Sequence, residues 1–110
     1  MARRISPELR DALETRHDLC VEIPAKHPGC RAWVNVGVSM EGDAISGFGV
    51  LHFEYPIEMM EREYDASADE LPLFDSRGFR TEDEVNRYLD QILPPDANLI
   101  RVADDDDYPM

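Results

Sequence analysis

The longest regular alternation in the chain runs through AWVNVGVSM, residues 32–40. Val34, Val36, Val38 and Met40 fall on one side, and Trp33, Asn35, Gly37 and Ser39 on the other. A period of two with one apolar side predicts a half-buried antiparallel strand. EGDAISG carries turn residues, and FGVLHFEY returns as the partner strand until Pro56 interrupts it. Upstream, LCVEIPA (19–25) is a short β-branched run limited by Pro24, and KHPGC is a loop.

Two stretches have helical spacing instead. In SPELRDALETRHD, Ser6 is a good N-cap and Pro7 suits the first helical position. Leu9, Ala12, Leu13 and Arg16 follow i, i+3, i+4 spacing, while Arg10, Asp11 and Glu14 face water. In TEDEVNRYLDQILPP, Thr81 and Glu84 have capping-box spacing, Pro94 and Pro95 stop the helix, and Val85, Tyr88, Leu89 and Ile92 form its apolar stripe. IEMMEREY fits an edge strand or a helical turn equally. DASADELP reads as a polar loop, LPLFD as a short strand, FDSRGF as a loop before the second helix, and NLIRVA (98–103) as a last strand. The order α-β-β-β-(β)-α-β predicts an α+β fold: an antiparallel sheet of four to five strands, with the N-terminal and C-terminal helices packed on one face. No repeat or linker divides residues 1–110, so one domain is expected, with a flexible acidic tail at 104–110.

Composition adds a sharp asymmetry. The 110 residues carry a net charge of −13. Residues 1–53 hold seven acidic against six basic side chains, whereas residues 54–110 hold seventeen against five. A potential of that sign repels nucleic acid and anionic membrane and attracts basic surfaces. No apolar run approaches the length of a transmembrane helix, and the basic N-terminus leads into no signal-peptide core. Cys20 and Cys30 make no disulfide framework, which fits reduced thiols and a cytoplasmic location.

The candidate chemistries are thin. His27 and Cys30 form an isolated H-x-x-C pair where zinc needs three or four convergent ligands. His17 falls in the last turn of the first helix, and His52 on the outer face of its strand or in a polar spot. Cys20 lies within a strand, where a thiol is usually a small hydrophobe. No nucleotide-binding or nucleophile-elbow motif is present. The contiguous aspartates of ADDDDY point in divergent directions and lack the frame of a calcium loop. No catalytic residue, cofactor or metal site is therefore expected, and the chain reads as a non-enzyme.

What remains is the charged surface. Glu58, Glu61, Glu63, Asp65, Asp69 and Glu70 crowd one stretch, Glu82, Asp83 and Glu84 open the second helix, and Asp104, Asp105, Asp106 and Asp107 close the set. Carboxylates so placed can imitate duplex phosphates and occupy the cationic groove of a nucleic-acid-binding enzyme or a toxin. Trp33, opposite the valines, is the expected exposed anchor, with Phe74 assigned to the core. In acidity, size and α+β character the chain resembles phage inhibitors of host nucleases, anti-CRISPR proteins among them; the resemblance is one of composition. The expected function is inhibition of a basic protein, as a DNA or RNA mimic that itself contacts neither nucleic acid nor membrane. The alternatives are an immunity protein against a cationic toxin and an adaptor module, acidic only for solubility, whose contact is the Trp33 face.

Overall fold

The computed structural model describes residues 4–62 and 66–109. Its centre is a long hairpin of β2 (Cys30–Glu41) and β3 (Ala44–Pro56), paired from Cys30 opposite Pro56 to Glu41 opposite Ala44 with a one-residue register shift between Ser39 and Met40. Gly42 supplies the positive φ of 63° that so tight a reversal requires. β1 (Leu19–Ile23) pairs with β2, and β4 (Leu73–Phe79) with β3. The two-residue β5 (Ile100–Arg101) pairs with β1 on its other side. The result is an α+β fold with a five-stranded antiparallel sheet in the order β4-β3-β2-β1-β5 and three helices among the described residues: α1 (Pro7–Glu14), α2 (Ile57–Glu61) and α3 (Glu82–Ile92).

One reading left open by the sequence is decided, and one is corrected. IEMME resolves as the short helix α2. FDSRGF is not a loop, because Ser76, Arg77 and Gly78 stay in register with Leu51, Val50 and Gly49 and carry β4 to Phe79.

Both faces of the sheet are covered. On one, Val34, Val36 and Val50 pack with Leu13 of α1 and with Val85 and Leu89 of α3. On the other, Trp33, Phe53, Tyr55 and Leu71 form a second cluster, joined by Met59 and Met60 of α2 and by Tyr108. The three helices thus do not share one face. β3 shows the consequence in one run, with His52, Phe53, Glu54 and Tyr55 all buried in succession. Trp33, expected to be exposed, has 0% of its surface accessible. The alternation located its face correctly, but that face is itself a core.

The cover over Trp33 is largely the C-terminal segment. Tyr108 meets Trp33 and Phe53 edge-on, at 6.2 and 5.8 Å between ring centroids, while Trp33 and Phe53 stack at 6.1 Å. Asn35 Nδ2 donates to the Tyr108 hydroxyl at 3.0 Å. The segment read as a flexible tail is therefore folded back across the sheet.

α1 ends at Glu14, two residues short of Arg16, so that His17, expected in its last turn, lies beyond the helix. Arg16 takes a φ of 63°, so that its N–H reaches Leu13 O and the His17 N–H reaches Ala12 O. This is the Schellman closure, which normally places glycine where Arg16 stands. Replacing Arg16 by Gly should raise stability by about 0.5–1 kcal/mol, read as a higher urea midpoint. Since Trp33 is the only tryptophan, its fluorescence reports the second cluster directly. Tyr108→Ala should shift its emission to the red, speed acrylamide quenching and cost about 2 kcal/mol.

Candidate functional site: the acidic face

The sheet divides the acidic residues into two groups. α2 and the 3-10 turn Ala68–Glu70 flank Met59, Met60 and Leu71, which belong to the Trp33 cluster. Glu58, Glu61, Asp69 and Glu70 therefore stand on the same side as the C-terminal segment carrying Asp104, Asp105, Asp106 and Asp107. Glu63 and Asp65 lie outside the described residues. Glu82, Asp83 and Glu84 begin α3, which packs on the opposite face.

Many of these carboxylates have internal work. Asp105 Oδ2 accepts from Trp33 Nε1 at 3.1 Å and from the Cys20 thiol at 3.6 Å. Asp107 pairs with Arg31 at 3.2 Å, and Arg31 also holds Glu22 through its Nε at 2.7 Å while lying 5.0 Å above the Trp33 ring. Asp104 pairs with Arg101 at 3.0 Å, and Glu58 with Arg62 at 2.7 Å. Glu70 accepts from the backbone N–H and hydroxyl of Ser67, closing a capping box. Glu61, Asp69 and Asp106 are exposed without an ion pair among the described residues. On α3, the Thr81 hydroxyl caps the Glu84 N–H at 3.2 Å, and Glu82 turns toward Arg10 of α1 at 3.5 Å, leaving Asp83 and Glu84 the more exposed. Of the four aspartates Asp105 turns inward and docks the segment, while Asp104, Asp106 and Asp107 stay exposed. The reason is that an indole N–H in a closed cluster needs an acceptor, and Asp105 is the one supplied.

Phe74 moves the other way. Assigned to the core from sequence, it is 40% exposed on edge strand β4, opposite Phe53 and so on the Trp33 side. Ile100, opposite Cys20 on the far edge strand, is 39% exposed. The signal for both was available only as strand order: an apolar residue on an edge strand has a neighbour on one side alone.

No family model, curated protein or solved structure matches the chain. Its chemistry is read from its own geometry.

Burial and then the Asp105 charge push the Cys20 thiol up to about 12, and burial with Glu54 raises that of Cys30. Both are poor thiolates at neutral pH. Among the described residues, no group of three or more His, Cys, Asp and Glu side chains converges in a way that could hold a metal ion. None of the described helices is long and apolar enough to cross a membrane.

One carboxylate has a structural task on the helix-covered face. Glu54 is fully buried. Its carboxylate accepts from the backbone N–H groups of Lys26 and His27 at 2.7 and 3.0 Å and contacts His27 Nδ1 at 2.7 Å. Burial pushes its pKa up, but these hydrogen bonds and the His27 contact together outweigh burial and hold it below the ordinary 4.5. A native value below the unfolded one means that stability is fully present above pH 4.5 and is lost as pH falls through the lowered native value. Glu54→Ala should cost about 3 kcal/mol and remove that part of the acid sensitivity, measured by urea unfolding across pH.

Proposed function

We propose that the chain is a small acidic binding protein that inhibits a basic partner by covering its cationic surface. The carrying observation is that two sequence-distant acidic groups, Glu58, Glu61, Asp69 and Glu70 in one and Asp104–Asp107 in the other, are carried on one side of the sheet. Phe74 stands on that side as an exposed apolar group. Clustered like charges steer association with an oppositely charged surface, while a few apolar anchors supply tightness. A nucleic-acid-binding enzyme is the partner class with the most suitable groove, since its Lys and Arg side chains are already spaced for phosphates. An immunity protein against a cationic toxin would use the same surface, so gene neighbourhood distinguishes the two. The adaptor reading, in which the acidity serves solubility, would need a contact face other than the enclosed Trp33 ring. A cytoplasmic setting belongs to this proposal.

The test is retention of a basic protein from lysate on immobilised wild type, with elution by a salt gradient. Three versions are compared: wild type, a Glu58→Lys/Glu61→Lys/Asp69→Lys triple, and a Glu8→Lys/Asp11→Lys/Glu14→Lys triple on α1. The acidic-face triple should lose at least roughly tenfold in retention, and the α1 triple should keep most of it. Phe74→Ala should hasten dissociation with little change in salt dependence. Equal losses in the two triples, or retention insensitive to salt, would defeat the proposal.

A further inference from the structure

The helix-covered face of the sheet turns polar at one end. The register that aligns Val36 with Val50 continues to Val34 with His52 and Ala32 with Glu54, and β4 adds Arg77 opposite Val50 and Asp75 opposite His52. α3 covers this end incompletely, leaving a cleft of about 650 Å³ between its C-terminal half, the end of β1 and strands β3 and β4. Ile23, Leu73 and Leu93 give the cleft apolar walls, and Lys26, His52, Asp75 and Arg77 give it polar groups. Apolar walls with a few convergent polar side chains are what small-molecule sites share.

Glu54 does not account for those groups. Its oxygens are taken by Lys26 N–H, His27 N–H and His27 Nδ1, and that staple fixes the loop from which the Lys26 side chain reaches the cleft. His52 is 9% exposed, and its Nε2 is buried with no hydrogen-bond partner among the described residues. Buried polar atoms are rarely left so, and an orphan of this kind points to something beyond the chain itself. Arg77 bonds Asp75 at 3.2 Å and lies 5.0 Å over the Tyr88 ring, so its guanidinium is held at the rim. Lys26, the only lysine in the sequence, has no ion-pair partner among the described residues.

Charge selects the ligand class. With His52 kept neutral by burial and by the Lys26 charge, Lys26 and Arg77 against Asp75 leave the lining with one surplus positive charge. That surplus suits a monoanion. A phosphate dianion would be under-compensated within a protein of net charge −13. We propose that this cleft binds a small organic monocarboxylate, its carboxylate against Lys26 and Arg77 and its apolar body against Ile23, Leu73 and Leu93. The site lies on the face opposite the acidic one and does not depend on the partner proposed above.

Titration of the whole protein with hexanoate, phenylacetate, hexan-1-ol and inorganic phosphate, followed by NMR of the His52 and Tyr88 rings, tests it. Both carboxylates should shift these resonances saturably, and hexan-1-ol and phosphate should bind roughly tenfold more weakly or not at all. Lys26→Gln, at an exposed position, should weaken hexanoate binding roughly tenfold while leaving the Trp33 resonance in place as a check on folding. The proposal is overturned if neither carboxylate gives a saturable shift, if the alcohol or phosphate matches them, or if Lys26→Gln binds hexanoate as wild type does.

Discussion

The two-sided burial of the β2–β3 hairpin is the constraint on which the rest of the structure depends. A sheet that is apolar on one face needs one layer of cover, and α1 and α3 supply it. Here the second face carries Trp33, Phe53 and Tyr55, and an uncovered aromatic patch of that size in water is costly. The chain meets the demand with its least regular parts, the short helix α2, residues 66–71 and the strap ending at Tyr108. These are also its most acidic parts. Packing therefore brings the carboxylates together, without direct attraction among them.

This arrangement separates carboxylates that hold the fold from those turned to solvent. Asp105 serves the Trp33 indole, Asp107 and Glu22 hold Arg31 over that ring, and Glu54 anchors the 26–27 backbone. Arg4 does similar work at the other end of the chain, with Asp90 at 2.9 Å and the Pro94 and Ala97 carbonyls closing the C-terminus of α3. Net charge counts all these groups alike, and only position distinguishes them.

Much of the fold was legible because local chemistry and tertiary structure agree. Ser6 caps α1, Thr81 caps α3, and the alternation around Val34 sets the hairpin's faces. What was not legible depends on who covers whom. Alternation tells the two faces of β2 apart but does not say that the second is dry, so Trp33 was assigned to solvent. For His52 the alternation left two places open, the outer face or a polar spot, and it is buried at the polar end of the helix-covered face. Among the candidate acidic residues, Glu58, Glu61, Asp69 and Glu70 share a side with the aspartate strap, whereas Glu82 is drawn to Arg10 on the opposite, helix-covered face. No spacing rule carries that division, since it comes from strand order alone.

The strap also sets an order of events on the ribosome. Every strand of the central hairpin is synthesised well before residues 104–109, so a nascent chain carries Trp33, Phe53 and one open edge of β1 without their final cover. Segments in that condition are what chaperones bind and what aggregates form from. The carboxylates of residues 54–70, made just after β3, add like charge to the intermediate while it waits, and repulsion between such chains opposes their association. The acidity that equips the finished surface thus also guards the unfinished one.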